Sequence, residues 1–99
     1  MERKLRVYIS GAITGTDDYR ERFARAEAFL MGQGCSVINP AKIDAALPAD
    51  MTYEEHMKID MMLLESCDAV YMLKGWQESR GANREYGYAL GVDKDIVME

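Results

Sequence analysis

Two carboxylates and a glycine-flanked loop are the features of this 99-residue chain whose type and setting suit chemistry. Glu85 stands in SRGANRE, where the chain is predicted to leave a strand (69–73), cross an ordered loop (74–81) and enter a helix (82–90). In the first turn of that helix the dipole favours an ionised carboxylate, which suits a nucleophile better than a general acid. The plainer alternative is an acid that complements a helix N-terminus. Asp60 interrupts an apolar run, IDMMLL. Helical spacing groups it with His56 and near Met57 and Leu64, so it borders the apolar face. It therefore projects into a cleft or faces solvent at the edge of the polar stripe, and the residues alone leave both open. Residues 11–15 (GAITG) form a turn that can aim backbone N–H groups at an anion; they lack the endings of a Walker A or dinucleotide loop. Alone, that turn is as well explained by geometry. Ser79 caps or anchors the loop before Glu85, and Gly81 gives a ligand close access to backbone. Trp76 offers a stacking surface for a base or a cover for the end of the sheet.

The elements that must position these groups follow from periodicity. Residues 5–10 (LRVYIS) read as a first strand ending at Gly11, with Gly11 and Gly15 permitting unusual backbone angles. Asp17 or Asp18 caps a helix over 19–31, whose Phe23, Ala26, Phe29 and Leu30 recur at helical spacing, and Gly32 and Gly34 stop it. A short strand at 35–38 ends at Asn39-Pro40. Residues 41–52 show no sustained period and read as a loop or a short irregular helix. Thr52 and Glu55 make a capping box for a helix running to about Ser66. Its apolar positions Met57, Met61 and Leu64 are widened by Ile59, Met62 and Leu63. Residues 69–73 (AVYML) have the near-continuous apolar character of a parallel strand buried on both faces. Residues 95–98 (DIVM) are a fourth strand. In such open parallel sheets ligands bind in the crevice outside the carboxyl ends of the strands, where Glu85 falls.

Composition bounds the class. The length gives one domain over residues 1–99, and 48% apolar with 29% charged residues is the balance of an ordinary globular domain. No apolar run approaches a membrane span, and the N-terminal MERKLRVYIS lacks a secretory pattern, so the expected location is the cytoplasm. Cys35 and Cys67 are far apart, outside any CxxC or Cys/His pattern, and there is one histidine. Reduced thiols and no metal site are expected. With a net charge of −5 and scattered basic residues, a nucleic-acid polymer is not an expected partner, although backbone N–H groups still suit a mononucleotide phosphate.

Taken in order, VYISGAITG, the Asn39-Pro40 turn, the Asp60 helix, the strand opening DAVYM and WQESRGANREYGYALG span nearly the whole chain. This series resembles the nucleoside 2-deoxyribosyltransferase-like superfamily, in a compact, phage-type branch similar to the 2'-deoxynucleoside 5'-monophosphate N-glycosidases. The resemblance implies a three-layer α/β/α sandwich, flavodoxin- or Rossmann-like, on a four-stranded parallel sheet in the order 2-1-3-4. It implies Glu85 as the nucleophile, Asp60 as the group assisting departure of the base, and Tyr8 as the residue orienting the nucleophile. Ser79 occupies the position of a phosphate-holding serine, and Gly11, Ala12, Ile13, Thr14 and Gly15 would receive the 5'-phosphate. Thr14 stands where the monophosphate hydrolases carry an arginine.

The implied activity is cleavage or transfer of the N-glycosidic bond of a nucleoside or nucleotide, with no cofactor and no metal. A non-catalytic nucleotide-binding or sensor module using the same cleft is the alternative. A homodimer or higher oligomer through the Met-rich helix 52–66 is expected, the chain being short and that apolar face broad.

Overall fold

In a computed structural model that describes residues 4–99, the sheet is built outward from β1 (Arg6–Ser10). β1 pairs in parallel with β2 (Ser36–Ile38) on one side and β3 (Ala69–Met72) on the other; β4 (Asp95–Met98) pairs in parallel with β3. The order is therefore 2-1-3-4, as expected. Tyr8 lies beside Ile38 on one neighbour and Val70 on the other. Residues 1–3 of the charged N-terminal stretch lie outside the described residues.

Alternation along the central strands splits the core into two halves. Val7, Ile9, Ala69, Tyr71 and Leu73 pack with Phe23, Ala26 and Leu30 of α1 (Tyr19–Gly32). Tyr8, Val70 and Met72 pack on the opposite face with Leu64 of α3 (Tyr53–Glu65) and with Ala82 and Ala89 of α4 (Arg80–Gly91). All four residues of β3 are buried, which explains its continuous apolar run. The result is a three-layer α/β/α sandwich. Among the described residues no helix is long and apolar enough to cross a membrane.

Several boundaries move, each for a local reason. Asn39 does more than end β2: its side chain accepts a hydrogen bond from the Ala41 N–H at 3.0 Å, and Pro40 takes the first helical position of α2 (Pro40–Ala45). Proline is preorganised for that position, so a regular six-residue helix forms where periodicity is too short to register. Asp18 takes the N-cap position of α1 without a side-chain bond, and Gly32 lies inside the helix; the chain turns at Gly34, with φ of 88°. Phe29, expected in the core, is more than half exposed, as is Met62 on α3. Cys35 precedes β2 and is partly buried; Cys67 is buried, and both are free.

The correction that matters most concerns α4. The Ser79 Oγ accepts from the Ala82 N–H at 3.1 Å, so the helix begins at Arg80 rather than Ala82, after a 3-10 turn at Trp76–Glu78. Glu85 is then the sixth residue of the helix and sits beyond its first turn, where the dipole has little effect.

Gly11 is corrected too. Its backbone angle is ordinary, whereas Gly15 has φ of 83°. Gly11 is required by space: an added Cβ would lie 2.9 Å from both the Cβ and the Cδ1 of Leu73. Because the Leu73 Cβ cannot rotate away, Gly11→Ala is expected to destabilise the protein by about 1–3 kcal/mol. A urea-unfolding midpoint equal to wild type would show that the loop and β3 can separate freely.

Candidate active site

The site begins on β1. Tyr8 and Ser10 are two residues apart, so both point to the face covered by α3 and α4. Each meets Glu85 there. The Tyr8 hydroxyl donates to Glu85 Oε2 at 2.5 Å and the Ser10 hydroxyl donates to Oε1 at 2.7 Å. Both hydroxyls and the carboxyl are nearly fully buried. Held at both oxygens by groups on a central strand, the Glu85 carboxyl has a fixed orientation. Burial raises its pKa from 4.5 to about 7, against the lowering effect of the two hydroxyl bonds, with a further upward push from Asp44. The expectation of a carboxylate kept acidic by the helix dipole is thus replaced by one kept near neutrality by desolvation. Burial first, then the nearby Glu85 and Asp60, raises Tyr8 well above 10, so it serves as an O–H donor.

Asp60 is buried on the inner face of α3, which removes the solvent-facing alternative. Its Oδ1 is buried without a hydrogen-bond partner among the described residues. Burial, then the charges of Asp44 and Glu85, raise its pKa from 3.8 to about 8. A carboxyl in this setting holds its proton at neutral pH and is free to give it to a ligand. The two carboxyls do not titrate far apart, but the Tyr8 and Ser10 hydroxyl bonds favour ionised Glu85, whereas Asp60 Oδ1 has no such bond among the described residues, which is the useful order.

Both carboxyls line a cleft of about 780 Å³ at the carboxyl end of the sheet, large enough for a nucleotide-sized molecule. Tyr8, Gly11, Ile13, Thr14, Ser79 and Gly81 line the same cleft. So the structure brings together most of the residues singled out in the sequence. Ala12 and Gly15 are not on its wall. Nor is Trp76, which stacks on Tyr86 with ring centroids 4.6 Å apart and packs against the α4 half of the core. Trp76 therefore covers the end of the sheet and offers no stacking platform to the cleft. At Gly81 an added Cβ would make only ordinary contacts, the nearest at 3.5 Å to Met57 Sδ and the Tyr53 hydroxyl, so close packing does not require a glycine there.

Three lining or supporting groups are not singled out as site residues by the sequence. Ser10 was available from strand alternation, two residues after Tyr8. Asp44 comes from α2, where no pattern marked it. His56 sits one turn before Asp60 on α3, and its Nδ1 lies 3.2 Å from Asp44 Oδ1. Among the described residues no group of three or more His, Cys, Asp or Glu side chains is arranged to hold a metal ion.

A family model described as a domain of unknown function, DUF4406, matches residues 5–98, and the chain belongs to that family. None of the curated proteins matches it.

Proposed function

We propose that this member of the DUF4406 family cleaves or transfers the N-glycosidic bond of nucleosides or nucleoside 5'-monophosphates, in the manner of the nucleoside 2-deoxyribosyltransferase-like superfamily. The observation that carries the reading is one cleft holding two buried carboxyls in different states of satisfaction. Glu85 is fixed by Tyr8 and Ser10, whereas Asp60 has a free, buried oxygen.

The chemistry divides accordingly. Ionised Glu85 attacks C1' of the sugar, and an oxygen–C1' bond forms as the C1'–nitrogen bond breaks. The bonding pair leaves with the base, which takes the proton of Asp60. Positive charge on the sugar ring in the transition state is offset by the Glu85 carboxylate. Water, or a second base, then attacks C1' of the glycosyl ester. The Asp60 carboxylate takes up the proton released in that step, and Glu85 returns as carboxylate. Ser79 and the turn after β1 face the same cleft and would receive a 5'-phosphate. The groove beside α3, formed by Met57, Met61, Met62 and Lys58, is where we place contact with a second copy.

The pH dependence follows from the two pKa values. Activity requires Glu85 ionised, which favours pH above about 7, and Asp60 protonated, which favours pH below about 8. A narrow bell in kcat/KM centred between them is the expected profile. Removing the Tyr8 hydroxyl takes away a bond that lowers the Glu85 pKa, so Tyr8→Phe should move the acidic limb upward and leave the alkaline limb in place.

The direct test is chromatographic detection of free base after incubation with a panel of deoxynucleosides, ribonucleosides and their 5'-monophosphates, with and without an acceptor base. Base release by wild type and none by Glu85→Ala supports the reading. Nucleotide binding with no product at long incubation would replace the enzyme with the binding module.

A further inference from the structure

The wall of the cleft contains a pair of groups that the glycosidic chemistry does not use. Asp44 on α2 and His56 on α3 face each other, with 3.2 Å between Asp44 Oδ1 and His56 Nδ1, and both line the cleft. A carboxylate only accepts hydrogen bonds, so the imidazole bonded to it donates from Nδ1, and its neutral form is the Nδ1–H tautomer. The Nε2 is then a bare acceptor, and no protein group among the described residues bonds it. One helical turn further along α3, Asp60 presents its unpartnered, buried Oδ1 and, when protonated, donates. Side chains four apart on a helix are neighbours, so α3 presents a donor and an acceptor side by side.

Base edges differ in whether they match that order. Adenine offers the N7 acceptor beside the N6 amino donor, whereas guanine offers two acceptors, N7 and O6. Asp60 donating to N7 would place the amino group of a 6-aminopurine against His56 Nε2. A 6-oxopurine would set its O6 against that lone pair and leave both unpaired. Sites built to hydrogen-bond a substrate group reject analogues that lack it more strongly than apolar pockets do.

We propose that His56, locked as the Nδ1–H tautomer by Asp44, is a specificity-determining residue that selects 6-aminopurine over 6-oxopurine nucleotides. The proposal rests on the reading of Asp60 as the group that protonates the departing base. Asp44 is the positioning residue: it acts through the imidazole it holds.

Two measurements test this without relying on turnover. His56 is the only histidine in the chain, so the nitrogen NMR spectrum of uniformly labelled protein reports its tautomer directly. A protonated Nδ1 and bare Nε2 are expected; the opposite tautomer would overturn the proposal. Titration calorimetry of Glu85→Gln with deoxyadenosine and deoxyinosine 5'-monophosphates then compares two ligands that differ at C6. Tighter binding of the amino ligand by roughly 10- to 100-fold is expected. His56→Phe, built in the same background, should bring the ratio close to one. Asp44→Ala should narrow it and mix the tautomers.

Equal affinities, a preference for the oxo ligand, binding of neither, or a preference that survives His56→Phe would overturn the assignment. If the amino preference is present and wild type releases no base from any substrate, the recognition stands and the glycosidase reading falls. If base is released without discrimination, the reverse holds.

Discussion

Glu85→Gln is expected to reduce the proposed base release by at least ~10³-fold while leaving the fold intact, because the amide keeps the shape of the side chain and lacks the proposed nucleophile. The stability outcome separates this variant from Glu85→Ala. At pH 5 the wild-type carboxyl is held protonated, since burial moves its pKa from 4.5 to about 7. The neutral amide mimics that state, with one of the Tyr8 and Ser10 hydroxyls reversing to accept from it. Alanine leaves both buried hydroxyls without their acceptor, at a cost of about 1–3 kcal/mol each.

A raised pKa means that the Glu85 contribution is fully present below about pH 4.5 and is lost as pH rises through about 7. Glutamine does not titrate, so Glu85→Gln should resist urea better than wild type at pH 8 even though it is inactive. Unfolding curves at pH 5 and pH 8, run beside the base-release assay, give all three quantities. Retained turnover in the glutamine variant would remove Glu85 from the nucleophile's role. An unfolded glutamine variant would show that the Tyr8 and Ser10 hydroxyls cannot accommodate the amide.

The same residues show what a sequence reveals and what it hides. The parallel sense of the sheet was expected because strands and helices alternate, its order came with the family resemblance, and the apolar run through Val70 has one natural place, at the centre. The start of α3 was legible to the residue. Thr52 and Glu55 satisfy each other's backbone N–H groups, at 3.1 and 2.8 Å, a local bond pattern that needs no tertiary partner. The start of α4 was misplaced because Arg80-Gly81 dilutes helical periodicity, while the Ser79 cap that decides the boundary reads equally well as a loop residue.

The site was legible in part of its membership and not in its electrostatics. Glu85 and Asp60 could be singled out by position, but what sets their proton affinities is burial beneath neighbours distant in the chain. Ser10 and Tyr8 reach Glu85 across more than seventy residues, and Asp44 arrives from a helix that no period announced. The two roles open to Trp76 could not be separated in the sequence for the same reason: its partner, Tyr86, stands ten residues on across a 3-10 turn, and nothing local says which way the indole points.

Asp60→Asn should stabilise the protein at alkaline pH and abolish the proposed base release, and the two effects have one cause. In the unfolded chain the Asp60 carboxyl titrates near 3.8; in the folded protein burial first, then Asp44 and Glu85, hold the proton on until about pH 8. The folded state therefore binds more protons than the unfolded one across that window, and stability falls as pH rises through it. About four pH units at 1.36 kcal/mol each puts the loss on the order of 5 kcal/mol for wild type.

Asparagine has no proton to lose, so this part of the slope disappears in the variant. Its amide carries an unsatisfied donor in the same buried place, which costs about 1–3 kcal/mol at every pH. The variant should accordingly match or fall slightly below wild type at pH 4 and exceed it by about 3 kcal/mol at pH 8. Denaturant unfolding at both pH values reads the crossing directly. The contribution of Glu85 to the slope is common to both proteins and cancels when the two pH dependences are subtracted. Parallel pH dependences in the two proteins would mean that Asp60 is solvated or finds a partner, and its standing as the proton donor would fall with that. A crossing, together with loss of base release, would mark Asp60 as a group whose placement costs the fold stability at the pH where it would act.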